Sequence, residues 1–347
     1  MNKKAFSKKS LIISSIITII IVVSIAMVTG TFNNNNNSNI TKKKLSFPSD
    51  GLTLVGNMYY PPNYQATTPY PTIVVSGSWT TVKEQMAGTY AEGLASNGFI
   101  TFAFDFRNFG ESEGEPRFHE SPNLKSKDIK NAIDFLASQP EVDAEKIGVF
   151  GVCAGAMYSL MAAAETPQVK AIVTAASWLH DGEAVKLFYG GAEGVAAKIK
   201  AAQEAKDLYR ETKEVAYIPA ISETDETAAM FGPFDYYLNP ERGNIKEWSH
   251  DKFAVASWED WLTSRPMETA AKLRAPLLMI HSDGAVLPEY TKKYFADLTL
   301  PEADKKLHWM QSDLEPPFDQ FNFYDQATQV NETIDEATKW FTQKLDT

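Results

Sequence analysis

The sequence predicts an α/β protein in which a mostly parallel, eight-stranded sheet is flanked by helices on both faces. Short runs rich in β-branched residues alternate with stretches of helical periodicity along most of the chain, the pattern of strands joined by helical crossovers. Gly, Pro and Asn punctuate the junctions. With 347 residues and 44% hydrophobic side chains, the chain has enough apolar surface for one large core carrying an insertion.

Taken in order, residues 53–60 read as an early strand ending at Pro61-Pro62, and residues 72–76 as a buried strand. Residues 83–97 read as a helix stopped by Asn97-Gly98, followed by a strand over 99–106. Ile129, Ala132, Ile133 and Leu136 fall at i, i+3, i+4 and i+7, one apolar helix face closed by Pro140. A strand over 146–152, an Ala-, Leu- and Met-rich helix over 154–164 and a strand over 171–176 come next. After a long interval, strands over 277–281 and 306–310 and a helix through Val330, Ile334, Ala337 and Phe341 complete the sheet.

Lys3, Lys4, Lys8 and Lys9 precede an uncharged stretch whose apolar part, residues 11–28, is just long enough to span a bilayer. The same arrangement describes a secretory signal, with small residues at 28–30 for cleavage. The run exceeds the usual signal core of about 7 to 15 residues, which favours an uncleaved anchor. In either case the lysines stay inside and the body is extracytoplasmic, membrane-anchored or secreted. Residues 1–30 are thus the anchor or signal, 31–44 a polar linker with an Asn run, and 45–347 the folded domain. Seven of the 33 basic residues lie in the first 44 positions, where there is no acid, leaving 26 basic against 44 acidic groups in the body. So acidic a body, with no basic stripe, argues against nucleic acid and for a small-molecule substrate, neutral or cationic. No cofactor is implied, and no pair of histidines has metal-ligand spacing.

One cysteine in an exported chain has no disulfide partner. Most lone cysteines are small buried hydrophobes, but the surroundings of this one argue for chemistry. Gly151-Val152-Cys153-Ala154-Gly155 lies between a predicted strand and a predicted helix, where flanking glycines permit a sharp turn that pushes the central side chain into a cleft. A thiol there also feels the positive end of the helix dipole, which favours the thiolate.

On these residues the chain resembles the α/β-hydrolase superfamily, and within it the dienelactone-hydrolase-like branch with Cys at the nucleophile elbow. The resemblance covers about residues 45–345. It extends to the loop Ser76-Gly77-Ser78-Trp79-Thr80-Thr81-Val82, where these enzymes place an oxyanion amide. It also includes Asp105-Phe106-Arg107-Asn108-Phe109-Gly110-Glu111-Ser112, similar to the superfamily's D-x-R-G-x-G-x-S turn with Asn108 at its first glycine. The resemblance implies an α/β-hydrolase fold with a largely helical cap over about 181–274. It further implies hydrolysis of ester, thioester or lactone bonds by Cys153, with an oxyanion hole from the backbone amides of Ala154 and Trp79. One such donor is typically worth about 3 kcal/mol of transition-state stabilisation. Arg107 and Glu111 read as a structural turn.

The superfamily also expects an acid and then a His after the nucleophile. The loop that should hold the His, residues 311–324, has none, and matching its end to an H-x-x-x-Y-like segment puts Gln320 in the base position. Glutamine cannot accept a proton at neutral pH and is left with orienting water or substrate. His308 and His250 read as structural, His119 and His281 as lesser candidates. His180, just past the strand that should neighbour the nucleophile strand, is the preferred relocated base. Asp181 reads as a helix cap. Asp283 is the carboxylate nearest the usual acid position, with Glu289 second.

Cysteine tolerates an incomplete triad better than serine does, because a few per cent is already thiolate at pH 7. Deacylation by water is the harder step. Phe231, Phe234, Tyr236, Tyr237, Trp248, Phe253, Trp258 and Trp261 either line an apolar pocket or form the cap's own core. The residues therefore describe a cysteine hydrolase of small, partly apolar substrates, or else a catalytically impaired relative that binds a small apolar ligand.

Overall fold

The computed structural model describes residues 40–346. The eight strands of its sheet are β1 (Thr41–Ser49), β2 (Leu52–Tyr60), β3 (Tyr70–Ser76), β4 (Ile100–Phe104), β5 (Val142–Val152), β6 (Val169–Ala175), β7 (Leu277–Ser282) and β8 (Lys305–Met310). They lie in the order β1-β2-β4-β3-β5-β6-β7-β8. β1 pairs with β2 and β2 with β4 antiparallel; the remaining pairs are parallel. The inner parallel strands are almost wholly buried, which is why they read as continuous apolar runs rather than alternating ones.

Helices cover both faces: α1 (Met86–Ser96), α2 (Pro122–Ala137) and α3 (Ala154–Ala163) precede the insertion. Along β5 the side-chain alternation assigns them to layers. Phe150 meets Tyr90 of α1, with ring centroids 4.6 Å apart, whereas Gly151 faces the opposite way onto the first turn of α3. The space above Gly151 is filled by the backbone of Gly155 and Ala156, so a side chain at either glycine has nowhere to go.

Between β6 and β7 come α4 (Ala184–Phe188), α5 (Gly191–Thr212), α6 (Asp235–Leu238), α7 (Ser257–Thr263) and a 3-10 stretch, Pro266–Lys272. The insertion is thus largely helical. Its middle departs from that: Tyr217–Ile218 pairs with Phe253–Ala254, and Ile221–Ser222 with Met230–Phe231. After β7 follow α8 (Pro288–Ala296), α9 (Asn322–Asp325) and α10 (Ala327–Leu345).

Two elements differ from the sequence reading. Residues 41–44, expected in the linker, form the first half of β1 and pair with residues 57–60. Three consecutive lysines hide the strand signal because β1 is an edge strand that buries little beyond Phe47 and Ser49, and charge on such an edge discourages pairing with other chains. Helix α8 escaped notice because it buries only Thr291 and Tyr294. The anchor or signal segment, with its apolar run over 11–28, lies outside the described residues. Among the described residues no helix is long and apolar enough to cross a membrane.

Candidate active site

Cys153 stands between β5 and α3, at the helix N-cap, with φ 57° and ψ −122°, a conformation that costs a non-glycine residue roughly 1–3 kcal/mol. The surrounding backbone holds it there. Cys153 N–H donates to Ala175 O of β6 (3.0 Å), and Cys153 O accepts from Ala156 N and Trp178 N, both at 3.0 Å. A Cβ on Gly155 would stand 2.3 Å from Ser76 O and 2.4 Å from Gly77 O. That close approach brings the β3–α1 loop against the elbow. The thiol is buried but opens into a cavity of about 240 Å³.

Four donors surround the sulfur: the hydroxyls of Ser78 and Tyr324 and the backbone amides of Ala154 and Trp79. Burial nonetheless pushes the thiol above its ordinary value, the four donors pulling the other way. The hydroxyls form a chain. Tyr237 Oη donates to Ser78 Oγ (3.3 Å), which lies 3.3 Å from Tyr324 Oη. Burial holds Tyr324 and Tyr237 well above their usual range, so both are protonated at neutral pH. Ser78 lies in the loop already matched to the oxyanion segment and Tyr324 at the Tyr of the H-x-x-x-Y-like segment, and that spacing is the one signal in the sequence for Tyr324.

The loop that presents Trp79 is braced from below. Thr80, with φ 60°, donates its N–H to Glu120 Oε2 at 2.9 Å. Glu120 is fully buried, and it also accepts from Lys125 Nζ and Tyr158 Oη, both at 2.7 Å. Trp248 of the insertion adds an indole N–H to Thr80 O (2.9 Å). No pattern in the sequence singled out Glu120, because its partners are 5, 38 and 40 residues away.

Gln320 lines the cavity, in the place matched to the family's His. Both ends of its amide are engaged: Oε1 accepts from Val286 N (3.0 Å), and Nε2 donates to Ala176 O (2.9 Å) and Tyr324 Oη (3.3 Å). Tyr324 Oη accepts from Gln320 and keeps its own proton for the sulfur or for Ser78 Oγ. Just before it, the buried Asp319 accepts from Ser282 Oγ (2.5 Å), Asn322 Nδ2 (2.9 Å) and Gln329 Nε2 (3.1 Å), anchoring the loop through neutral groups.

His180 does not reach the cavity and is corrected as a base. Its ring lies 5.2 Å from that of Trp261, and Nδ1 accepts from Trp178 Nε1 at 2.9 Å. The neutral ring therefore carries its proton on Nε2, and its lone pair is already taken. Burial pushes it down to about 4. Asp283 is likewise misplaced for a triad acid. Its side chain is 67% exposed and pairs with Lys292 at 3.1 Å, because the strand turns outward there while the neighbouring Ser282 points in. Glu289 shares Lys292 on the surface. His281 is buried against Trp309, its Nδ1–H donating to Ser282 O (2.8 Å), and burial pushes it down to about 4. His119 pairs with Asp260, and Asp181 accepts amides of the α4 turn, its predicted capping role. Arg107 is locked to Asp128 and Asp50, the structural turn expected.

The remaining walls are aromatic and aliphatic, including Trp178, Tyr189, Met230, Phe234, Trp261 and Phe321. Of the eight aromatics singled out, Phe231, Phe234, Tyr237 and Trp261 line the cavity, while Tyr236, Trp248, Phe253 and Trp258 are buried in a core that the insertion shares with the sheet domain, Tyr236 against Tyr324 and Phe253 against Trp79. Among the described residues, the lining includes no histidine and no charged side chain.

Comparison with known proteins adds lineage to this geometry. A family model described as X-Pro dipeptidyl-peptidase (S15 family) matches residues 50–313. An uncharacterized protein of Pseudomonas aeruginosa is 31% identical over 284 residues, 76% of this chain and 72% of the relative. The crystal structure of a hypothetical P. aeruginosa protein superposes with a TM-score of 0.75 at 25% identity, covering 88% of this chain and 94% of that one. Thiohydrolase aneE of Aspergillus aculeatus is 34% identical over 36% of this chain, and acyltransferase drtE of Aspergillus calidoustus 31% identical over 38%. The chain spans 38% and 41% of those two proteins. A dienelactone hydrolase from Anabaena variabilis shares the fold, with a TM-score of 0.51 at 15% identity over 88% of this chain and 98% of that one.

Proposed function

Because the chain belongs to the X-Pro dipeptidyl-peptidase (S15) family of α/β hydrolases, we propose that Cys153 is its nucleophile, acting on the carbonyl of a small ester, thioester or lactone with an apolar acyl part. One observation carries this reading: a strained thiol at an elbow, with the Ala154 and Trp79 amides against it, opening into an aromatic cavity. Those amides serve as the oxyanion hole. They are fixed by backbone hydrogen bonds and by Glu120, so they need not reorganise as charge develops. Dipeptidyl-peptidase activity itself is disfavoured. A peptide N-terminal ammonium requires a carboxylate partner, and an amine leaving group requires a strong proton donor; the cavity lining supplies neither. The names thiohydrolase and acyltransferase among the relatives agree with acyl chemistry.

The test is a panel of acyl esters, thioesters and lactones offered to wild type and Cys153→Ala, with intact-mass detection of an acyl adduct. Turnover and an adduct confined to wild type are expected; equal turnover by both proteins removes Cys153 from the mechanism. Gln320 favours a second reading, a catalytically impaired protein holding an apolar ligand. Saturable binding of an apolar probe with no adduct on any substrate would select it.

We also propose that residues 1–30 tether the domain, residues 45–347 with its insertion over 181–274, on the extracytoplasmic face of a membrane. The expectation is membrane fractionation of the full chain with the body accessible to protease from outside. Recovery in the cytosolic fraction would refute it.

A further inference from the structure

Cys153 faces hydroxyls and amides, and the position that should hold a proton acceptor holds an amide already bonded at both ends. The consequences differ for the two halves of an acyl-transfer reaction. From this asymmetry, and resting on the nucleophile reading above, we infer that the enzyme moves acyl groups from one thiol to another rather than to water.

In the first half, the Cys153 sulfur bonds to the acyl carbon of a thioester and the carbon–sulfur bond to the leaving thiol breaks. The proton lost from Cys153 ends on the departing sulfur, which leaves as a neutral thiol. An ordinary thiol ionises near 8.5, so the exchange passes a proton between groups of similar basicity. A hydroxyl relay suffices for that. Ser78 Oγ touches both Tyr324 and Tyr237, and Ser78 and Tyr324 both contact the sulfur, so a proton can be passed along without any of these groups ionising for long.

In the second half, an incoming nucleophile must surrender its own proton to Cys153. A thiol does so by the reverse of the first step: its sulfur bonds to the acyl carbon, the Cys153–acyl bond breaks, and the proton returns to Cys153. Water is about seven units less acidic than a thiol and must be activated by a base or metal. The lining contains no imidazole and no carboxylate among the described residues, and Gln320 Oε1 is held by Val286 N. The apolar walls around the acyl group further disfavour an ordered water. An oxygen-leaving donor fares worse for the same reason, since an alkoxide needs protonation as it departs. The donor and acceptor are therefore both thiols, and the transferred group is an uncharged acyl chain that fits an aromatic cavity.

The experiment uses the full chain in detergent, charged with a hexanoyl thioester of N-acetylcysteamine and followed by intact mass with and without millimolar glutathione. We expect an adduct of one hexanoyl group on Cys153 that persists in buffer and is discharged at least about tenfold faster by glutathione, with hexanoyl-glutathione as product. Gln320→His should shift the partition, speeding discharge into buffer. Discharge into buffer as fast as into glutathione would overturn the transfer inference while leaving Cys153 as the nucleophile. Absence of an adduct, with the protein shown folded by its thermal melt, would overturn both.

Discussion

Residues 151–155 and residues 282–324 face the same cavity, yet only the first region retains what acyl chemistry asks of it. At the elbow, two glycines admit the close approach of β3, Cys153 is held at φ 57°, and two amides meet the sulfur. Across the cavity the fold is equally well formed, but the side chains that would move protons are different. Gln320 stands for a base, Ser282 and Asp319 hold each other in the buried space of an acid, and the nearest alternative, Asp283, faces solvent. Backbone geometry and proton chemistry are thus separable properties of one scaffold. The first can be kept while the second is rewritten.

The largest effect expected from challenging this contrast lies at the elbow. Gly155→Ala puts a methyl carbon 2.3 Å from a backbone oxygen that cannot swing away, so β3 and α3 must part. A loss of about 3 kcal/mol or more is expected, with Cys153 alkylation altered in parallel. A thermal melt within a degree of wild type would show that the elbow is looser than its contacts imply.

Next in size is a pH effect shared by both regions. His180 beside the elbow and His281 on β7 both lie near 4 in the folded protein, against 6.5 for an exposed imidazole. The unfolded chain therefore binds their protons first as pH falls. Their contribution to stability is complete above 6.5 and is lost progressively down to about 4, on the order of 2 kcal/mol each by pH 4.5. Replacing either with Gln should flatten urea-derived stability against pH over that window. An unchanged slope would mean that the ring is not buried neutral, and would reopen His180 as a base.

Much of this was legible in the chain. The i, i+3, i+4 pattern of residues 129–136, the β-branched strands and the Gly151–Gly155 turn placed the sheet and the strand-to-helix elbow correctly, because each depends on local chemistry. The rest depends on direction. Asp283 and Ser282 are adjacent, and the alternation of a strand end decides which one points in. His180 sits close to the elbow in sequence, but Trp178 and Trp261 enclose its ring, which no spacing rule foretells. Glu120 was invisible for a related reason, since its value lies wholly in partners from distant segments.

Gln320→His sharpens the contrast directly by returning an imidazole to the base position. Its ring would replace an amide 3.3 Å from Tyr324 Oη, close enough to influence the sulfur through that hydroxyl. Iodoacetamide labelling of Cys153 at pH 7 should rise by about tenfold, and Gln320→Glu should lower it, since a carboxylate there repels a thiolate. If both variants move labelling in the same direction, the effect is loop distortion rather than electrostatics. Tyr324→Phe should act less strongly. It removes one of four donors to the sulfur, raising the thiol further and slowing labelling by about threefold.

The smallest effect is expected at the residue a triad would have valued most. Asp283→Asn removes a carboxylate whose ionised form is favoured first by Lys292, on a side chain standing mostly in water. Exposed pairs of this kind contribute little to stability, and no path of hydrogen bonds leads from Asp283 to Gln320 or the sulfur in the contacts described. Turnover, the labelling rate and the melting temperature should all match wild type. A loss of activity greater than about tenfold would place Asp283 in the proton chemistry after all, a size typical of general acid–base groups. The base end of the cavity would then be a rearranged catalytic apparatus rather than one rebuilt around neutral hydrogen bonds.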